Sequence, residues 1–395
     1  MVENLPVPFD RRVWSEAKAL RDIGYRVSVV SPTFPGSRWH ESVEGIEIYR
    51  SPLTTQGAGL LGHVAEYALA LPSLAALTLL ANARRRVDVL HVANPPDFFF
   101  PLGQLFRRMG AAFVFDHHDA APELYAAQTG GRTGLGDRVL RWSEHQTMRA
   151  ADVVIATNES MRQLALRRGR VPPDRVFVVR SSVDSSRTYR VAPDPALRAG
   201  RQYLAVYVGV MGPQDGVDLL VRACRHVEDA MPGEVRFLAI GDGSERPAAQ
   251  ELARELSVGE SIHFPGRLTD EEVRLALSTA DVAIGPDPAN GFNELCTMNK
   301  TLEYMAIGVP LATFDLPETR AIAADAALYA RPNDVAELAQ RVVEILRSPD
   351  RGASLARVGR ERMAGELSWQ HSASELARAY ERAVASANRR RANPR

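Results

Sequence analysis

Short apolar runs rich in β-branched residues alternate with segments in which apolar residues recur every three or four positions. The runs are almost continuously apolar, which is typical of strands buried on both faces of a parallel sheet. Their alternation with helices predicts a doubly wound α/β architecture. The runs that we interpret as strands are YRVSVVS, DVLHVAN, AAFVFD, ADVVIATN, RVFVVRS, QYLAVYVGV, EVRFLAIGDG, DVAIGPD and PLATFD.

The first helical segment is DRRVWSEAKALRDIG, residues 10–24. Asp10 has the side chain of a helix N-cap, and Gly24 is typical of the residue that follows a helix. The apolar stripe predicted to face the core comprises Val13, Ala17, Leu20 and Ile23.

The alternation pauses once, in a polar segment with two prolines at residues 184–201. We interpret this pause as a linker between two Rossmann-like domains. Two sheets whose carboxyl ends face each other would form a central cleft for ligands. The predicted parts are an N-terminal domain (1–185), a linker (186–200), a C-terminal domain (201–370), and a C-terminal helix that packs toward the N-terminal domain and ends in a solvated basic tail (371–395).

Composition narrows the functional classes. The 395 residues are 45% hydrophobic and 24% charged, which is typical of a globular protein. The formal net charge of zero does not favour nucleic acid as a partner. Cys224 and Cys296 are the only cysteines and no apolar leader opens the chain, so we expect a cytoplasmic protein.

Residues 57–86 form a strongly apolar helical segment that contains His63, Glu66 and Pro72. These three residues make it a poor transmembrane span. One interpretation is a helix buried in the first domain. The other is a helix that lies in a membrane surface, with the arginines at 84–86 facing lipid phosphates.

The segment CTMNKTLEYMAIGVP, residues 296–310, contains one of only two lysines among 48 basic residues. It predicts a helix with Thr297 as N-cap and Gly308 as its end. Lys300 therefore lies in the first turn, where the helix dipole disfavours a cation unless an anion binds there. On this reasoning, Lys300→Met should leave the stability of the protein unchanged or slightly higher.

Asn299 and Glu303 lie four positions apart on one face of this predicted helix. Together with Lys300 they fit a nucleotide diphosphate sugar, with the pyrophosphate on Lys300 and hydroxyl groups on Glu303. The alternative is an ordinary surface pair between Lys300 and Glu303.

Four further segments, taken with NKTLEYMAIGVP, resemble the family-4 glycosyltransferases of the GT-B fold, especially the branch that builds bacterial surface polysaccharides. They are VENLPVPFDRRVWSEA, DHHDAAPELY, YVGVMGPQDGVD and IGDGSERPAAQELA. The resemblance covers nearly the whole chain. It implies a metal-independent enzyme that transfers a sugar, with retention of configuration, from a nucleotide diphosphate donor, and it favours a uridine-linked one. It also implies that the N-terminal domain is on the acceptor side and that the C-terminal domain binds the nucleotide sugar.

The resemblance assigns Glu303 to the donor ribose and His118 to the donor sugar, so His118, Lys300 and Glu303 are the expected catalytic residues. Many family members carry an arginine and a lysine for the pyrophosphate in the loop that corresponds to GVMGPQDG, and both are missing here. The resemblance therefore implies that Lys300 supplies the charge. The backbone N–H groups expected to contact the donor are those of Gly209, Gly212 and Gly216.

The family also has a pair of glutamates eight positions apart, and Leu295 occupies the first of these positions here. Either Glu294 takes that role after a shift of one residue, or a backbone group does. Asp10, Arg11 and Arg12 are candidates for binding acceptor or donor phosphate, although a capped surface helix explains them equally. Asp119, like Asp116, can orient a neighbouring histidine.

His117 and His118 are adjacent, but no third ligand lies at a metal-binding spacing, so we expect no metal and no other cofactor. The family branch implies an acceptor that is a polyprenyl-phosphate-linked sugar or another glycan, at the inner face of the cytoplasmic membrane. The fold also requires a strand before the loop ENLPVPFDRR, and only Met1 and Val2 precede it. Either the start is clipped or this strand is very short.

Two other functions remain open on the sequence alone. One is a nucleotide-sugar epimerase of the same fold, which would need no acceptor. The other is a donor-binding partner without catalysis, since two expected cations are missing. A retaining transfer needs either a carboxylate nucleophile or attack on the same face as the leaving group. The resemblance favours same-face attack, in which the leaving phosphate takes the proton of the acceptor.

Overall fold

The computed structural model describes residues 1–52, 59–131, 134–183 and 187–393, and only the backbone of residues 59–69. The chain divides into two compact units. Unit 1 comprises Met1–Ala126, Arg132–Ser181 and Gln370–Arg395, and unit 2 comprises Ala127–Gly131 and Ser182–Trp369. Residues 184–186, around the predicted domain boundary, lie outside the described residues.

The first part of the chain alternates strands and helices as the pattern predicts. Its elements are α1 (Arg11–Asp22), β1 (Ser28–Pro32), β2 (His40–Val43), β3 (Ile46–Ser51), α2 (Gly59–Arg84), β4 (Val89–Ala93), α3 (Phe100–Arg108), β5 (Ala112–His117), α4 (Ala121–Gln128), α5 (Leu135–Ala150), β6 (Val153–Ala156), α6 (Glu159–Arg167) and β7 (Val176–Val178).

The strands of unit 1 form two groups with the orders β1-β3-β2 and β4-β5-β6-β7. All neighbours pair in parallel except β2 and β3. Val2 forms parallel bridges to both Val30 of β1 and Val92 of β4. A single residue near the start of the chain therefore takes the place of the expected first strand between the two groups.

Unit 2 continues the alternation. Its elements are β8 (Tyr203–Val208), α7 (Val217–Ala230), β9 (Val235–Ile240), α8 (Arg246–Glu255), β10 (Ile262–Gly266), α9 (Asp270–Thr279), β11 (Val282–Gly285), α10 (Asn299–Ile307), β12 (Leu311–Phe314), α11 (Pro317–Ala323), β13 (Ala327–Ala330), α12 (Val335–Arg347) and α13 (Pro349–Ala364), followed by the C-terminal helix α14 (Trp369–Ala392).

The sheet of unit 2 is six-stranded, with the order β10-β9-β8-β11-β12-β13, and every pairing in it is parallel. The central strand β8 is buried on both faces. Ala205 and Tyr207 pack into one core cluster, and Leu204 and Val206 pack into the cluster on the other face. This arrangement explains the continuous apolar run in the sequence and confirms the predicted parallel α/β class.

Helix α1 confirms part of the predicted stripe. The Asp10 side chain accepts a hydrogen bond of 2.8 Å from the Val13 N–H, so the predicted cap is correct. Ile23 was expected in the core, but it follows the last helical residue and is 53% exposed. Glu16, by contrast, is fully buried, although nothing in the spacing distinguishes it from a solvated residue.

The described part of the predicted linker, residues 187–200, is bound to unit 2. The Val191 N–H donates to the Ser278 hydroxyl at 3.1 Å, and the Asp194 N–H donates to the Thr279 hydroxyl at 2.9 Å. A short 3₁₀ helix, Pro195–Arg198, follows. This segment is therefore an ordered part of unit 2 rather than a free connection.

Helix α14 belongs to unit 1, although it follows unit 2 in the chain. Its residues Leu376, Ala379, Ala383 and Ala387 lie in the core of unit 1. The basic tail, expected to be solvated, is helical through Ala392. Arg391 donates to the Gly110 carbonyl at 2.9 Å and Arg390 to the Ala111 carbonyl at 2.8 Å, which corrects that expectation.

Helix α2 covers most of the apolar segment at 57–86, and Pro72 lies within it. Residues 57–58, and the side chains of His63 and Glu66, lie outside the described part. Leu74 and Thr78 are buried, whereas Leu79 and Leu80 are 40% and 39% exposed. Among the described residues, no helix has the length and apolarity needed to cross a membrane.

Candidate functional site

In unit 2 the candidate site lies where the strand order reverses. Strand β8 lies between β9 and β11, so the chain leaves β8 toward one edge of the sheet and returns beside it as β11. Ligands of open α/β sheets bind at such a point, beyond the carboxyl ends of the strands. Two segments meet there: the β8–α7 loop (residues 209–216) and the residues that follow β11, which include Asp287.

The β8–α7 loop is held by its backbone. The Gly209 N–H donates to the Ile240 carbonyl at 3.0 Å. The Gly212 N–H donates to the Asp215 carboxylate at 3.0 Å. Both N–H groups therefore already have acceptors within the chain, which differs from the expectation that they are available to a ligand.

Gly216 has a different structural role in this loop. Its φ angle is +66°, and a Cβ atom at this position would lie 2.2 Å from the Pro286 carbonyl oxygen. Only glycine allows the loop to pass so close to the segment after β11. The absence of a side chain at Gly216 therefore allows the start of α7 to pack directly against that segment.

Helix α10 is anchored at the same place. The Tyr304 hydroxyl accepts a hydrogen bond of 2.8 Å from the N–H of Val208, the last residue of β8. The helix is followed by Gly308, as predicted. Its N-cap, however, is Met298 rather than the predicted Thr297, and the Met298 side chain makes no capping hydrogen bond. Lys300 still lies in the first turn, one turn before Tyr304.

The Lys300 side chain is 9% exposed, and its ammonium lies 2.6 Å from Asp287 and 3.9 Å from Asp215. It also lies 4.9 Å from the centre of the Tyr207 ring. Burial alone would lower the pKa of Lys300, but the charges of Asp287 and Asp215 raise it, so the side chain stays cationic. A buried ion pair with Asp287 thus takes the place of the surface lysine–glutamate pair considered above.

The other predicted donor residues of unit 2 surround Lys300 in sequence. Glu303 lies on the same helix and is half-buried. Asn299, the first residue of α10, and Glu294 are both exposed. The structure also brings in Asn293, which is buried and donates to the carbonyl groups of Gln214 and Pro288 at 2.9 and 2.8 Å.

In unit 1 the candidate site is a buried set of charges at the carboxyl ends of β4 and β5. Arg12 donates two hydrogen bonds to Asp116, from Nε at 2.9 Å and from Nη2 at 2.7 Å. A third bond, of 2.9 Å, runs from Arg12 to the Val179 carbonyl. Arg12 is therefore bonded within unit 1 and its side chain is 8% exposed, which corrects the interpretation that it lies at the surface of a capped helix.

Glu16 and His91 extend this set. Arg12 Nη2 lies 3.1 Å from Glu16 Oε1, and His91 Nε2 lies 3.5 Å from Glu16 Oε2. The other ring nitrogen of His91 shares a hydrogen bond of 2.8 Å with the hydroxyl of Tyr380 in α14. Burial and the charge of Asp116 raise the pKa of Glu16 to about 8, and burial lowers the pKa of His91 to about 3.

Glu16, His91 and Asp116 offer oxygen and nitrogen atoms within 4.8 Å of one another, a spacing that a metal ion can use. The guanidinium of Arg12 already contacts both carboxylates, at 2.7 and 3.1 Å. The positive charge between these carboxylates is thus provided by the chain itself. We therefore interpret the three residues as part of a buried polar network around Arg12, in which Asp116 carries the negative charge and the raised pKa of Glu16 and the lowered pKa of His91 leave both of them neutral at neutral pH.

His118 lies just beyond β5 at the edge of this network, and its side chain is 13% exposed. Its Nδ1 atom is 3.3 Å from Asp116. Although burial lowers the pKa of His118, the hydrogen bond and charge of Asp116 raise it more. In turn, the charge of Arg12 and the bonds from His118 and Arg12 lower the pKa of Asp116 against the effect of burial. The pair therefore consists of an imidazolium and a carboxylate.

The backbone around His118 is clamped by Asn94, a fully buried residue that the sequence analysis missed. The Asn94 side-chain oxygen accepts hydrogen bonds from the N–H groups of His118 and Asp119 at 2.8 and 3.1 Å. Its amide donates to the Asp119 carbonyl at 2.7 Å. Asn94 directly follows β4, and such a polar residue at the end of a buried strand is the signal that could have identified it.

The remaining predicted residues of unit 1 are Asp10, Arg11 and His117, and they lie in three different environments. Asp10 caps α1, and Arg11 is exposed at the start of that helix. His117, the neighbour of His118, is fully buried and bonds Glu144 at 3.1 Å. The two histidines therefore point into different surroundings, and only His118 belongs to the Arg12–Asp116 network.

Each unit presents its own candidate chemistry. In unit 2 the buried ammonium of Lys300 lies in the first turn of α10, and the N-cap side chain of this helix makes no capping hydrogen bond. A cation and helical N–H groups in this arrangement stabilise phosphate oxygens. Unit 1 presents a partly exposed imidazolium held by a buried carboxylate, which can donate hydrogen bonds to hydroxyl or anionic groups.

Each of the two units matches a family of known proteins. Residues 10–181 match the family described as "Glycosyl transferase 4-like domain", and residues 202–348 match the family described as "Glycosyl transferases group 1". The chain is 26% identical over 390 residues to the 2-deoxystreptamine glucosyltransferase of Streptomyces kanamyceticus, which covers 93% of this chain and 97% of that relative.

Two solved structures share the fold. The sucrose-phosphate synthase from Thermosynechococcus elongatus superimposes with a TM-score of 0.79 at 19% identity, covering 95% of this chain and 93% of that protein. HepE of Anabaena, in complex with UDP-glucose, superimposes with a TM-score of 0.68 at 15% identity, covering 96% and 98%. These likenesses confirm the predicted GT-B architecture.

Proposed function

Because the chain belongs to the family-4 glycosyltransferases of the GT-B fold, we propose that it transfers a hexose from a UDP-sugar to a glycan or lipid-linked acceptor with retention of configuration. The observation that carries this proposal is the buried Lys300 in the first turn of α10, at the switch point of the unit 2 sheet. UDP is the proposed nucleotide because HepE, which shares the fold, binds UDP-glucose.

In the proposed reaction the bond between the anomeric carbon and the diphosphate oxygen breaks. The acceptor oxygen forms its bond to the anomeric carbon on the same face, and the acceptor's proton passes to the released UDP. Lys300 and the first turn of α10 stabilise the negative charge that develops on the diphosphate. Glu303 accepts hydrogen bonds from ribose hydroxyl groups, and Asn299 and Glu294 are the further proposed donor contacts.

His118 is the proposed contact of unit 1 with the transferred sugar. Asp116 fixes the ring from one side, and Asn94 fixes the backbone, so the imidazole is oriented before substrate binds. Such positioning accelerates transfer because it removes the entropy of arranging the reacting groups. We propose no role in substrate binding for Arg12, whose guanidinium is already bonded to Asp116 and Val179.

The proposed acceptor is a polyprenyl-phosphate-linked sugar or a growing glycan in the synthesis of cell-surface polysaccharide, at the inner face of the cytoplasmic membrane. Exposed Leu79 and Leu80, followed by exposed arginines at 84–86, support contact between α2 and anionic lipid. Flotation with vesicles of phosphatidylglycerol and phosphatidylcholine tests this contact. Wild type should float at low salt, and the Arg84→Gln, Arg85→Gln, Arg86→Gln triple variant should stay at the bottom.

Titration with UDP, GDP and ADP, combined with an assay of nucleotide release, tests the enzymatic proposal. UDP should raise the melting temperature most, since a ligand that binds the folded state stabilises it. Release of UDP from a UDP-sugar should require an acceptor glycan. Conversion of the UDP-sugar without acceptor would instead indicate an epimerase, and binding without turnover would indicate a donor-binding partner.

A further inference from the structure

The β8–α7 loop carries a carboxylate that points at the cation proposed to hold the donor. Asp215 Oδ1 lies 3.9 Å from Lys300 Nζ, and the Asp215 side chain is 15% exposed. Its other oxygen accepts hydrogen bonds from the Gly212 N–H at 3.0 Å and from the Gln214 amide at 3.1 Å. Asp215 is therefore bonded to the loop and also faces Lys300.

The groups around Asp215 are those that would bind a phosphate. The backbone N–H of Gly212 and the ammonium of Lys300 are both donors to anions. Asp215 also lies just before α7, whose N-cap, Gly216, has no side chain to cap the helix. A carboxylate and a phosphate oxygen compete for the same donors, because both are anionic acceptors.

The two carboxylates near Lys300 differ in how easily a phosphate could displace them. Asp287 lies closer to the ammonium, at 2.6 Å, and is 5% exposed, whereas Asp215 lies at 3.9 Å and is three times as exposed. One cation thus faces two carboxylates before any donor binds. An arriving diphosphate can displace Asp215 toward solvent more easily than it can displace Asp287.

We propose that Asp215 is a built-in competitor of the donor diphosphate: its carboxylate occupies the Gly212 N–H and faces Lys300 in the free enzyme, and so limits nucleotide affinity. This inference rests on the proposed function, since it takes Lys300 as the diphosphate site. Its consequence for turnover is faster release of UDP, because the carboxylate can return to its donors as the nucleotide leaves.

Isothermal titration of UDP into Asp215→Asn tests the proposal. Asparagine keeps the shape of the side chain and one acceptor oxygen for Gly212, whereas it removes the charge and replaces the other oxygen by an amide NH2 group. We expect UDP to bind about 5- to 20-fold more tightly to this variant, as removal of one nearby like charge predicts. Uridine, which has no phosphate, should bind both proteins equally.

The matched control is Asp218→Asn, which makes the same change of net charge at an exposed position in the first turn of α7. Its UDP affinity should stay within about twofold of wild type, since an exposed charge is screened by salt. Asp215→Ala is the second variant, and it should also bind UDP more tightly. Melting curves without ligand establish that each variant is folded.

These titrations distinguish failure of the Asp215 proposal from failure of the proposed function. If wild type binds UDP and Asp215→Asn binds it equally or more weakly, Asp215 is not a competitor and this inference fails alone. Equal tightening by Asp215→Asn and Asp218→Asn would also overturn it, because net charge would then be the cause. If wild type does not bind UDP, the proposed function fails as well.

Discussion

The ammonium of Lys300 lies 2.6 Å from a carboxylate oxygen of Asp287, and both side chains are more than nine-tenths buried. From the helix dipole alone, Lys300→Met was expected to leave the stability of the protein unchanged or slightly higher. The buried pair with Asp287 predicts the opposite effect. Lys300→Met leaves Asp287 buried without its partner, and the loss of one partner of a buried ion pair costs about 3–5 kcal/mol. We therefore expect a lower free energy of unfolding, measured by chemical denaturation, together with weaker UDP binding.

The double variant Lys300→Met, Asp287→Asn is the control for that experiment. It should recover part of the lost stability because no unpaired carboxylate remains at position 287, but it should not recover UDP affinity. A Lys300→Met protein as stable as wild type would contradict the buried pair.

Glu16 predicts a pH dependence of stability. Its pKa is about 8 in the folded protein, raised chiefly by burial, against an ordinary value of 4.5. Because the folded chain holds the proton more tightly, this stabilisation is complete below about pH 4.5 and is lost as pH rises through 8, by up to about 1.4 kcal/mol per pH unit. The Glu16→Gln variant should lose less stability than wild type between pH 5 and pH 8.

Urea denaturation at several pH values measures this difference. Asp22→Asn, an exposed change at the end of the same helix, should leave the wild-type pH slope unaltered. Equal slopes for wild type and Glu16→Gln would show that Glu16 ionises normally in the folded protein.

The adjacent histidines predict opposite phenotypes. His118→Ala should lower turnover on the order of 10- to 100-fold, as expected when a positioning contact is lost, and should change the Kd of UDP by less than about twofold. His117→Ala should instead lower the melting temperature, because His117 is buried and bonded to Glu144. Steady-state kinetics and melting curves of both variants test this contrast, and loss of UDP binding in His118→Ala would refute the assignment.

Tyr380 predicts how α14 contributes to stability. Tyr380→Phe removes the hydroxyl that bonds His91 and leaves a buried ring nitrogen without that partner, at a cost of about 1–3 kcal/mol. Tyr203→Phe is the control, since its hydroxyl accepts a hydrogen bond from Gln202 at the surface. Denaturation midpoints should fall for the first variant and stay nearly constant for the second.

The proposed transfer should proceed in EDTA, because Lys300 and the first turn of α10 supply positive charge at the diphosphate. The measurement is UDP release with acceptor in the presence and absence of chelator. Loss of activity in EDTA that manganese or magnesium restores would contradict metal independence.

The fold could be predicted wherever burial on both faces produces an uninterrupted apolar run. Each of the nine runs interpreted as strands overlaps a strand of the structure, including the central β8. The elements β2, β3, β10 and β13 were missed. Strand β2, HESV, is polar and only partly buried, and β10 contains Pro265, which breaks the run expected of a strand.

The candidate site was predicted only in part, for a physical reason. Lys300 was conspicuous because, apart from Lys18, every other basic residue of the chain is arginine, and its unfavourable position in a helix indicated a nearby anion. The sequence pattern could not show that Asp287 is this anion in the free protein, since an aspartate directly after a strand is typical of a turn. Glu16 was missed similarly: its burial depends on Arg12, His91 and Asp116, which come from three different elements.

The return of α14 to unit 1 sets an order for folding during synthesis. Unit 2, which comprises Ala127–Gly131 and Ser182–Trp369, is synthesised before most of the helix that completes the core of unit 1. Until Leu376, Tyr380 and Ala383 emerge, the apolar surface that they cover in unit 1 is exposed to solvent. Nascent unit 1 therefore keeps an uncovered apolar surface until α14 has emerged, and this surface is the part of unit 1 most prone to aggregation during synthesis.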